Sequence, residues 1–170
     1  MIKAIDDKRP VFGKDVHVAE SADIVGNVAL GDRSSIWYGV VVRGDQAPIS
    51  IGPGSNIQDN AVVHVSHGFS ASVGADVTVG HGAILHGCTV EDGVLIGMGA
   101  ILLDGCVVGT GAIVAAGALV TQGTVIPPRT LAMGSPARVA RPLREEELAS
   151  NRRNAEEYVH FSTQQLPPVG

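Results

Sequence analysis

Three histidines lie close together in a stretch of the chain that is otherwise rich in glycine and small aliphatic residues. The segment VGHGAILHGC, residues 79–88, carries His81 and His86, and His64 lies upstream of it. Imidazole nitrogens bind divalent metal ions and also act as general bases. Which chemistry these side chains can perform depends on how the surrounding chain repeats.

The repeat around the histidines has a period of six residues. A glycine often follows the aliphatic residue that marks each unit, and the fifth residue of the unit is small. Neither a helix nor a simple alternating strand has this period, so the pattern predicts short flat strands joined by tight turns. With one slip, one insertion and one shortened unit, the series comprises Val18, Ile24, Leu30, Ile36, Val42, Ile51, Ile57, Val63, Val73, Val79, Leu85, Val90, Ile96, Leu102, Val108, Val114, Val120 and Ile126.

This period predicts where the histidines lie. His64 follows Val63 and His86 follows Leu85, and these two aliphatic residues are one coil apart, so the two imidazoles should stack about 4.8 Å apart and converge on one metal ion. His81 faces another direction, and a trimer would bring it to the pair of a neighbouring subunit. Three neutral imidazoles with an open fourth position are the ligand set of a catalytic Zn²⁺.

The six-residue period does not bring the other histidines or the two cysteines to this metal site. His17 and His160 are expected to be ordinary surface residues, and His67 is expected to lie at best near the mouth of the site. Cys88 and Cys106 are expected to be free thiols that fill small core positions, because buried cysteine behaves as a small hydrophobic residue.

Composition limits the class of protein. The 170 residues fit one compact core, and with 45% hydrophobic but only 4% aromatic residues that core must be aliphatic. The net charge of -5, with no block of Lys or Arg, argues against a nucleic-acid or membrane partner. We find no signal-peptide pattern and no membrane-span pattern, so we expect a cytoplasmic protein.

The stretch VVRGDQAPISIGPGSNIQDNAVVH, followed by VGHGAILHGC, resembles the gamma-class carbonic anhydrases, a family of hexapeptide-repeat proteins. The resemblance extends from about Val11 to Pro136. It implies an all-β fold, a left-handed parallel β-helix of triangular cross-section, for which the register supports roughly six coils.

After Pro136 the sequence changes character, with acidic residues first and arginines later. This predicts a C-terminal α-helix. We therefore expect a β-helix domain over residues 1–136, and a helix and tail over residues 137–170 that pack on it.

The resemblance also implies a homotrimer whose interfaces each hold Zn²⁺, or alternatively Fe²⁺, through His64, His81 and His86. Arg43 and Asp45 match a family pair that, together with Asp59, makes charge contacts across the interface. For Arg43 we expect a structural role ahead of a chemical one.

Three further residues are candidates for the site. By resemblance, Gln58 hydrogen-bonds the metal-bound water or hydroxide, and Asn56 occupies a polar family position two residues earlier. Tyr158, on the predicted helix, could reach the site of a neighbour, although a packed helix tyrosine is the simpler interpretation.

The implied reaction is the reversible hydration of CO₂ to bicarbonate. The sequence departs from active family members where protons leave the site: Gln46 stands where an active member has a glutamate, and the loop 65–72 contains no acidic residue. His67 could carry protons instead. High turnover is therefore in question even though the metal ligands are complete.

Other functions fit the same scaffold. Hexapeptide-repeat folds host acyltransferases, in which one histidine at a subunit interface acts as general base, but this chain lacks a large insertion that could form an acceptor pocket. A metal-dependent thioesterase is a second enzymatic alternative. A non-catalytic trimeric assembly protein that keeps a metal to hold its interfaces is a third.

Overall fold

Most six-residue units of the sequence form one short β-strand followed by a turn, as the period predicts. The computed structural model describes residues 1–169. Its elements are β1 (Ile2–Lys3), β2 (Val11–Phe12), β3 (Val16–Val18), β4 (Asp23–Leu30), β5 (Ser35–Ile36), β6 (Val41–Ile51), β7 (Asn56–Ile57), β8 (Val62–His64), β9 (Ala71–Val73), β10 (Thr78–Val79), β11 (Ile84–His86), β12 (Thr89–Val90), β13 (Leu95–Ile96), β14 (Ile101–Leu102), β15 (Val107–Val108), β16 (Ile113–Val114), β17 (Leu119–Val120), β18 (Val125–Ile126), β19 (Thr130–Gly134), β20 (Ala137–Pro142), α1 (Glu145–Gln165) and β21 (Pro168–Val169).

The coils stack by parallel strand pairing on three faces. One face contains β8, β11, β14 and β17, a second contains β9, β12, β15 and β18, and β6 pairs with both, which joins them into one 12-stranded sheet. The third face is a nine-stranded sheet that includes β3, β5, β7, β10, β13, β16 and β19. The fold is a left-handed parallel β-helix of about seven turns, slightly more than the sequence register suggested.

The core is the aliphatic series that the sequence shows. All eighteen of its members are buried, from Val18 to Ile126. The small fifth residues, such as Ala83, Ala100 and Cys106, are also buried and fill the inner corners of the prism. Both cysteines are free and buried, in agreement with the expected filler role.

Two kinds of glycine shape the turns. Gly97 follows the buried Ile96, and a Cβ at this position would lie 2.4 Å from the backbone nitrogen of Ala116 on the next coil. Gly99 has a φ of +66°, which disfavours other residues. The glycine directly after the aliphatic residue is therefore required because adjacent coils approach closely there. The positive φ that favours glycine occurs two residues later, at Gly99.

The C-terminal segment covers the third face. Strand β20 pairs antiparallel with β19, and α1 contacts β5, β7 and β10 of its own chain. Arg141 donates two hydrogen bonds of 2.8 Å to Glu147 in the first turn of α1, which hold the pKa of that carboxyl well below its usual range.

The division of the chain at Pro136 stays a prediction, and the last residue of the predicted tail, Gly170, lies outside the described residues.

The expectation for His17 was wrong. Its exposed fraction is only 8%, because β3 lies on the face that α1 covers and also pairs with β21. Its outward position on the strand therefore faces protein rather than solvent, whereas His160 is exposed as expected.

No helix within residues 1–169 is long and apolar enough to cross a bilayer.

Candidate metal centre

His64 and His86 occupy equivalent positions on adjacent coils. The two residues are register partners in the parallel pairing of β8 with β11, as the six-residue period predicts. Their ring centroids are 5.0 Å apart, and Nδ1 of His64 lies 3.0 Å from Nε2 of His86. One nitrogen of each imidazole therefore converges on the same point.

A carboxylate accepts a hydrogen bond from the other nitrogen of each ring. Asp45 Oδ1 lies 3.0 Å from His64 Nε2, and Asp104 Oδ1 lies 2.7 Å from His86 Nδ1. Burial tends to raise the pKa of Asp104, but hydrogen bonds from His86 and Ser66 outweigh it, so the pKa is lowered. The pKa of Asp45 is likewise lowered, because its hydrogen bond with His64 and its contact with Arg43 outweigh burial.

These bonds decide which ring nitrogens are free. Because each carboxylate accepts an N–H from its histidine, the neutral rings direct the lone pairs of His64 Nδ1 and His86 Nε2 at each other. Two such lone pairs at 3.0 Å repel unless a cation or a shared proton lies between them. Carboxylates behind imidazole ligands also orient the rings and raise their basicity.

The donor set fits a divalent transition metal. Two imidazole nitrogens bound to one tetrahedral Zn²⁺ at ~2.0–2.1 Å would lie about 3.3 Å apart. The observed distance of 3.0 Å between the two ring nitrogens would therefore need to widen only slightly to admit the ion. Imidazole also suits Fe²⁺. Within residues 1–169, no group of three or more His, Cys, Asp or Glu side chains could hold a metal ion in a single chain.

His81 lies at a corner of the prism, apart from the stacked pair. Its side chain is 43% exposed, and its Nδ1 lies 2.7 Å from Oδ2 of Asp59. His81 therefore has the same carboxylate support as the other two histidines, and Asp59 occupies Nδ1 rather than Nε2. The roles of Asp59, Arg43 and Asp45 across an interface stay predictions.

A cleft of about 200 Å³ lies beside His81, between α1 and the third face. Gln58, Thr78 and Tyr158 line it, together with the apolar side chains of Leu95 and Met98. Burial and the nearby Asp59 raise the pKa of Tyr158. Tyr158 packs edge-on against Trp37 at 5.3 Å in its own chain, which agrees with the simpler interpretation of a packed helix tyrosine.

A series of hydrogen-bonded polar side chains beneath α1 ends at Gln58. Gln58 Nε2 donates to Asn56 Oδ1 at 3.1 Å, and Asn56 Nδ2 donates to the hydroxyl of Thr78 at 3.0 Å. Asn154 of α1 donates to the same hydroxyl at 3.0 Å. Asn56 and Gln58, two residues apart in the chain, are thus side by side.

The insertion after His64 is anchored to the site. Ser66 donates a 2.8 Å hydrogen bond to Asp104, and the ring of Phe69 lies over Gly105. The side chain of His67 is exposed at the tip of this loop, and Gln46 is exposed beside Asp45.

The structure therefore forms two groups from the candidates. Arg43, Asp45, His64 and His86 form one network. Gln58, His81 and Tyr158 line the cleft, and Asn56 and Asp59 contact Gln58 and His81 respectively. Sequence reasoning missed Asp104, Thr78 and Asn154. Asp104 lies on the coil after His86, one residue past the position in register with it, because the shortened unit pairs Leu85 with Leu102. The period could therefore have indicated the neighbourhood of Asp104 but not the residue itself. Asn154 had no comparable signal, since its contact crosses from helix to sheet.

Comparisons with known proteins identify the family of the chain. The family described as "Bacterial transferase hexapeptide (six repeats)" matches residues 87–122. The chain is 57% identical over 152 residues to the "Probable carbonic anhydrase" of Methanocaldococcus jannaschii, covering 89% of this chain and 96% of that protein. It is 49% identical over 162 residues to "Gamma carbonic anhydrase 2, mitochondrial" of Arabidopsis thaliana, covering 92% of this chain and 58% of the plant protein.

A solved structure of a hexapeptide transferase family protein from Anaplasma phagocytophilum superposes with a TM-score of 0.94 at 38% identity, covering 97% of this chain and 98% of that one. This neighbour is named as a transferase, whereas the two relatives named as carbonic anhydrases are 57% and 49% identical to the chain. The chain belongs to the gamma-class carbonic anhydrase family of hexapeptide-repeat proteins.

Proposed function

We propose that this protein hydrates CO₂ reversibly to bicarbonate at a divalent metal ion, Zn²⁺ or alternatively Fe²⁺, bound between subunits of a homotrimer. The observation that carries the proposal is the pair of imidazole nitrogens of His64 and His86, which converge at 3.0 Å with a carboxylate behind each ring. A cation between the two rings would satisfy both nitrogens.

His81 of a neighbouring subunit would supply the third ligand. A face suited to such a neighbour lies beside the stacked pair, because residues two apart on a strand point the same way. Val62, Ile84, Ile101 and Leu119 form an outward aliphatic column in direct register, and Ile84 is 37% exposed in the single chain. Covering this column would remove apolar surface from water and bring the metal ligands to a shared edge.

When bound, a Zn²⁺ ion held by three imidazoles lowers the pKa of a water molecule towards neutrality and so supplies a nucleophile. Gln58 would orient that nucleophile from the cleft, and the adjoining Leu95 and Met98 offer an apolar surface for CO₂. Carbon dioxide and water yield bicarbonate and one proton, which must leave the site. Exposed His67 is the available imidazole on the nearby loop for that transfer.

A mixed-subunit experiment tests the interface site. His81→Ala and His64→Ala proteins should each lose bound metal and CO₂ hydration, measured by elemental analysis and stopped flow. Random mixed trimers of the two variants should recover about a quarter of the wild-type sites, because three-quarters of the trimers are mixed and each of those restores one of three interfaces. His160→Ala is the control and should match the wild type.

Three results would contradict the proposal. Absence of a trimer, or a metal-free trimer, would overturn the role of the histidines. Failure of the mixed trimers to recover metal would place the ligands elsewhere. A metal-loaded trimer without CO₂ hydration would favour thioester hydrolysis or an assembly role, and acyl transfer to an amine in the presence of acyl-coenzyme A would favour the transferase alternative.

A further inference from the structure

We propose that Thr78 and Asn154 are positioning residues that hold the amide of Gln58 with its carbonyl oxygen, rather than its NH₂ group, facing the cleft. Helix α1 acts on the site through Asn154. The consequence for catalysis rests on the proposed function, but the side-chain orientation itself does not.

The direction of the amides follows from one backbone carbonyl. Nδ2 of Asn56 lies 3.5 Å from the carbonyl oxygen of Val77 and 3.0 Å from Oγ1 of Thr78. A carbonyl oxygen can only accept, so the NH₂ end of Asn56 must face Val77 and Thr78. The oxygen of Asn56 then faces Gln58, and only the NH₂ group of Gln58 can donate to it, at 3.1 Å.

The carbonyl oxygen of Gln58 consequently points away from Asn56. Gln58 is 5% exposed and lines the cleft beside His81, and within residues 1–169 its carbonyl oxygen has no hydrogen-bond partner. An amide oxygen in this position can accept a hydrogen bond from an attacking water or hydroxide. That bond leaves an oxygen lone pair free for the carbon of CO₂.

The 3.5 Å contact between Asn56 Nδ2 and the carbonyl oxygen of Val77 would by itself hold the amide orientation only weakly. Thr78 and Asn154 strengthen that orientation. Asn56 and Thr78 are register partners on adjacent coils, and both are buried beneath α1. The same outward column becomes aliphatic further along, at Leu95, Ile113 and Leu131. Buried polar groups are costly unless they are hydrogen-bonded, so the amide donations to the Thr78 hydroxyl, including that from Asn154, secure the network where it meets Gln58.

Hydrogen exchange tests the orientation without metal or substrate. The side-chain amide protons of Gln58, observed by NMR in metal-free protein, should exchange about 10-fold faster in Thr78→Val and in Asn154→Ala than in the wild type. Thr78→Ser retains the hydroxyl and should restore slow exchange. Thr121→Val, at a turn remote from the cleft, is the matched control.

CO₂ hydration then tests the consequence. In metal-loaded protein, Thr78→Val should lower kcat about 10-fold with unchanged metal content, and it should add no further loss to that of Gln58→Ala, because both act through one side chain. Unchanged Gln58 exchange in both Thr78→Val and Asn154→Ala would overturn the positioning role. A wild-type protein without hydration but with the expected exchange pattern would refute the proposed function and leave the positioning role established.

Discussion

His64 and His86 are register partners on adjacent coils of the prism, and their facing ring nitrogens are 3.0 Å apart. Each ring directs its second nitrogen at a carboxylate of a different coil, Asp45 on one side and Asp104 on the other. Two adjacent imidazoles flanked by two carboxylates thus span four neighbouring coils. Such a row is stabilised by a positive charge at its centre, where the two imidazoles meet.

Asp104 should be needed for tight metal binding, because it orients the His86 ring and raises its basicity. Replacing it by Asn should raise the Kd for Zn²⁺ about 10–100-fold, as measured by competition with a chromogenic chelator. Asp7→Asn, at an exposed position remote from the pair, should leave the Kd unchanged. Equal affinities for the Asp104→Asn protein and the wild type would remove Asp104 from the site.

Restoring an acidic group beside Asp45 should speed proton departure. Gln46 is exposed, and its backbone N–H donates to Asp45 at 3.0 Å, so a carboxylate at this position would lie at the edge of the histidine network. Gln46→Glu should raise kcat for CO₂ hydration by about 3–10-fold in dilute buffer, through general base catalysis. The gain should vanish in concentrated imidazole buffer, which carries the proton itself.

Gln122→Glu makes the same change of charge at an exposed turn elsewhere and is the control. An equal gain in both variants would mean that net charge, rather than proximity to the site, controls turnover.

The repeat predicts opposite outcomes at two adjacent residues of β18. Ile126 is 1% exposed and Val125 is 65% exposed, because neighbouring strand residues face opposite sides. Ile126→Ala should lower the apparent free energy of unfolding by about 2–4 kcal/mol, and Val125→Ala by less than about 0.5 kcal/mol. Urea denaturation at one protein concentration measures both, and a larger loss at Val125 would indicate that an interface covers it.

The junction between β20 and α1 should stabilise the protein in a pH-dependent way. Hydrogen bonds from Arg141 and Arg144 lower the pKa of Glu147 below its ordinary value of 4.5. This stabilisation is fully present above the pKa of the unfolded chain and is lost as the pH falls through the lower folded value. Glu147→Gln should therefore lower Tm by about 1–3 °C at pH 7, and the difference should narrow as the pH falls below the ordinary value of 4.5.

Circular dichroism of metal-free protein between pH 3 and pH 8 provides that measurement, with Glu146→Gln as an exposed neighbouring control. A difference in Tm that stays constant across this range would argue against a role for the Glu147 charge.

Much of the fold and of the histidine pair could be predicted, because a strict period converts sequence distance into spatial register. The aliphatic series and the stacking of His64 on His86 are confirmed for this reason. The same logic was not extended to Asp104, which lies on the next coil, one residue past the position in register with His86. His17 was wrongly expected at the surface, because the period indicates which residues point outward but not what covers them.

By itself the sequence determined the period of six, the aliphatic core and the places of three histidines on the prism, since these depend on contacts between neighbouring coils. Only the tertiary structure decided what lies beneath α1, where Asn154 contacts Thr78 and Tyr158 packs on Trp37. The reason is physical: register propagates coil by coil through backbone hydrogen bonds, whereas the docking of a helix depends on side-chain packing between segments with no common period.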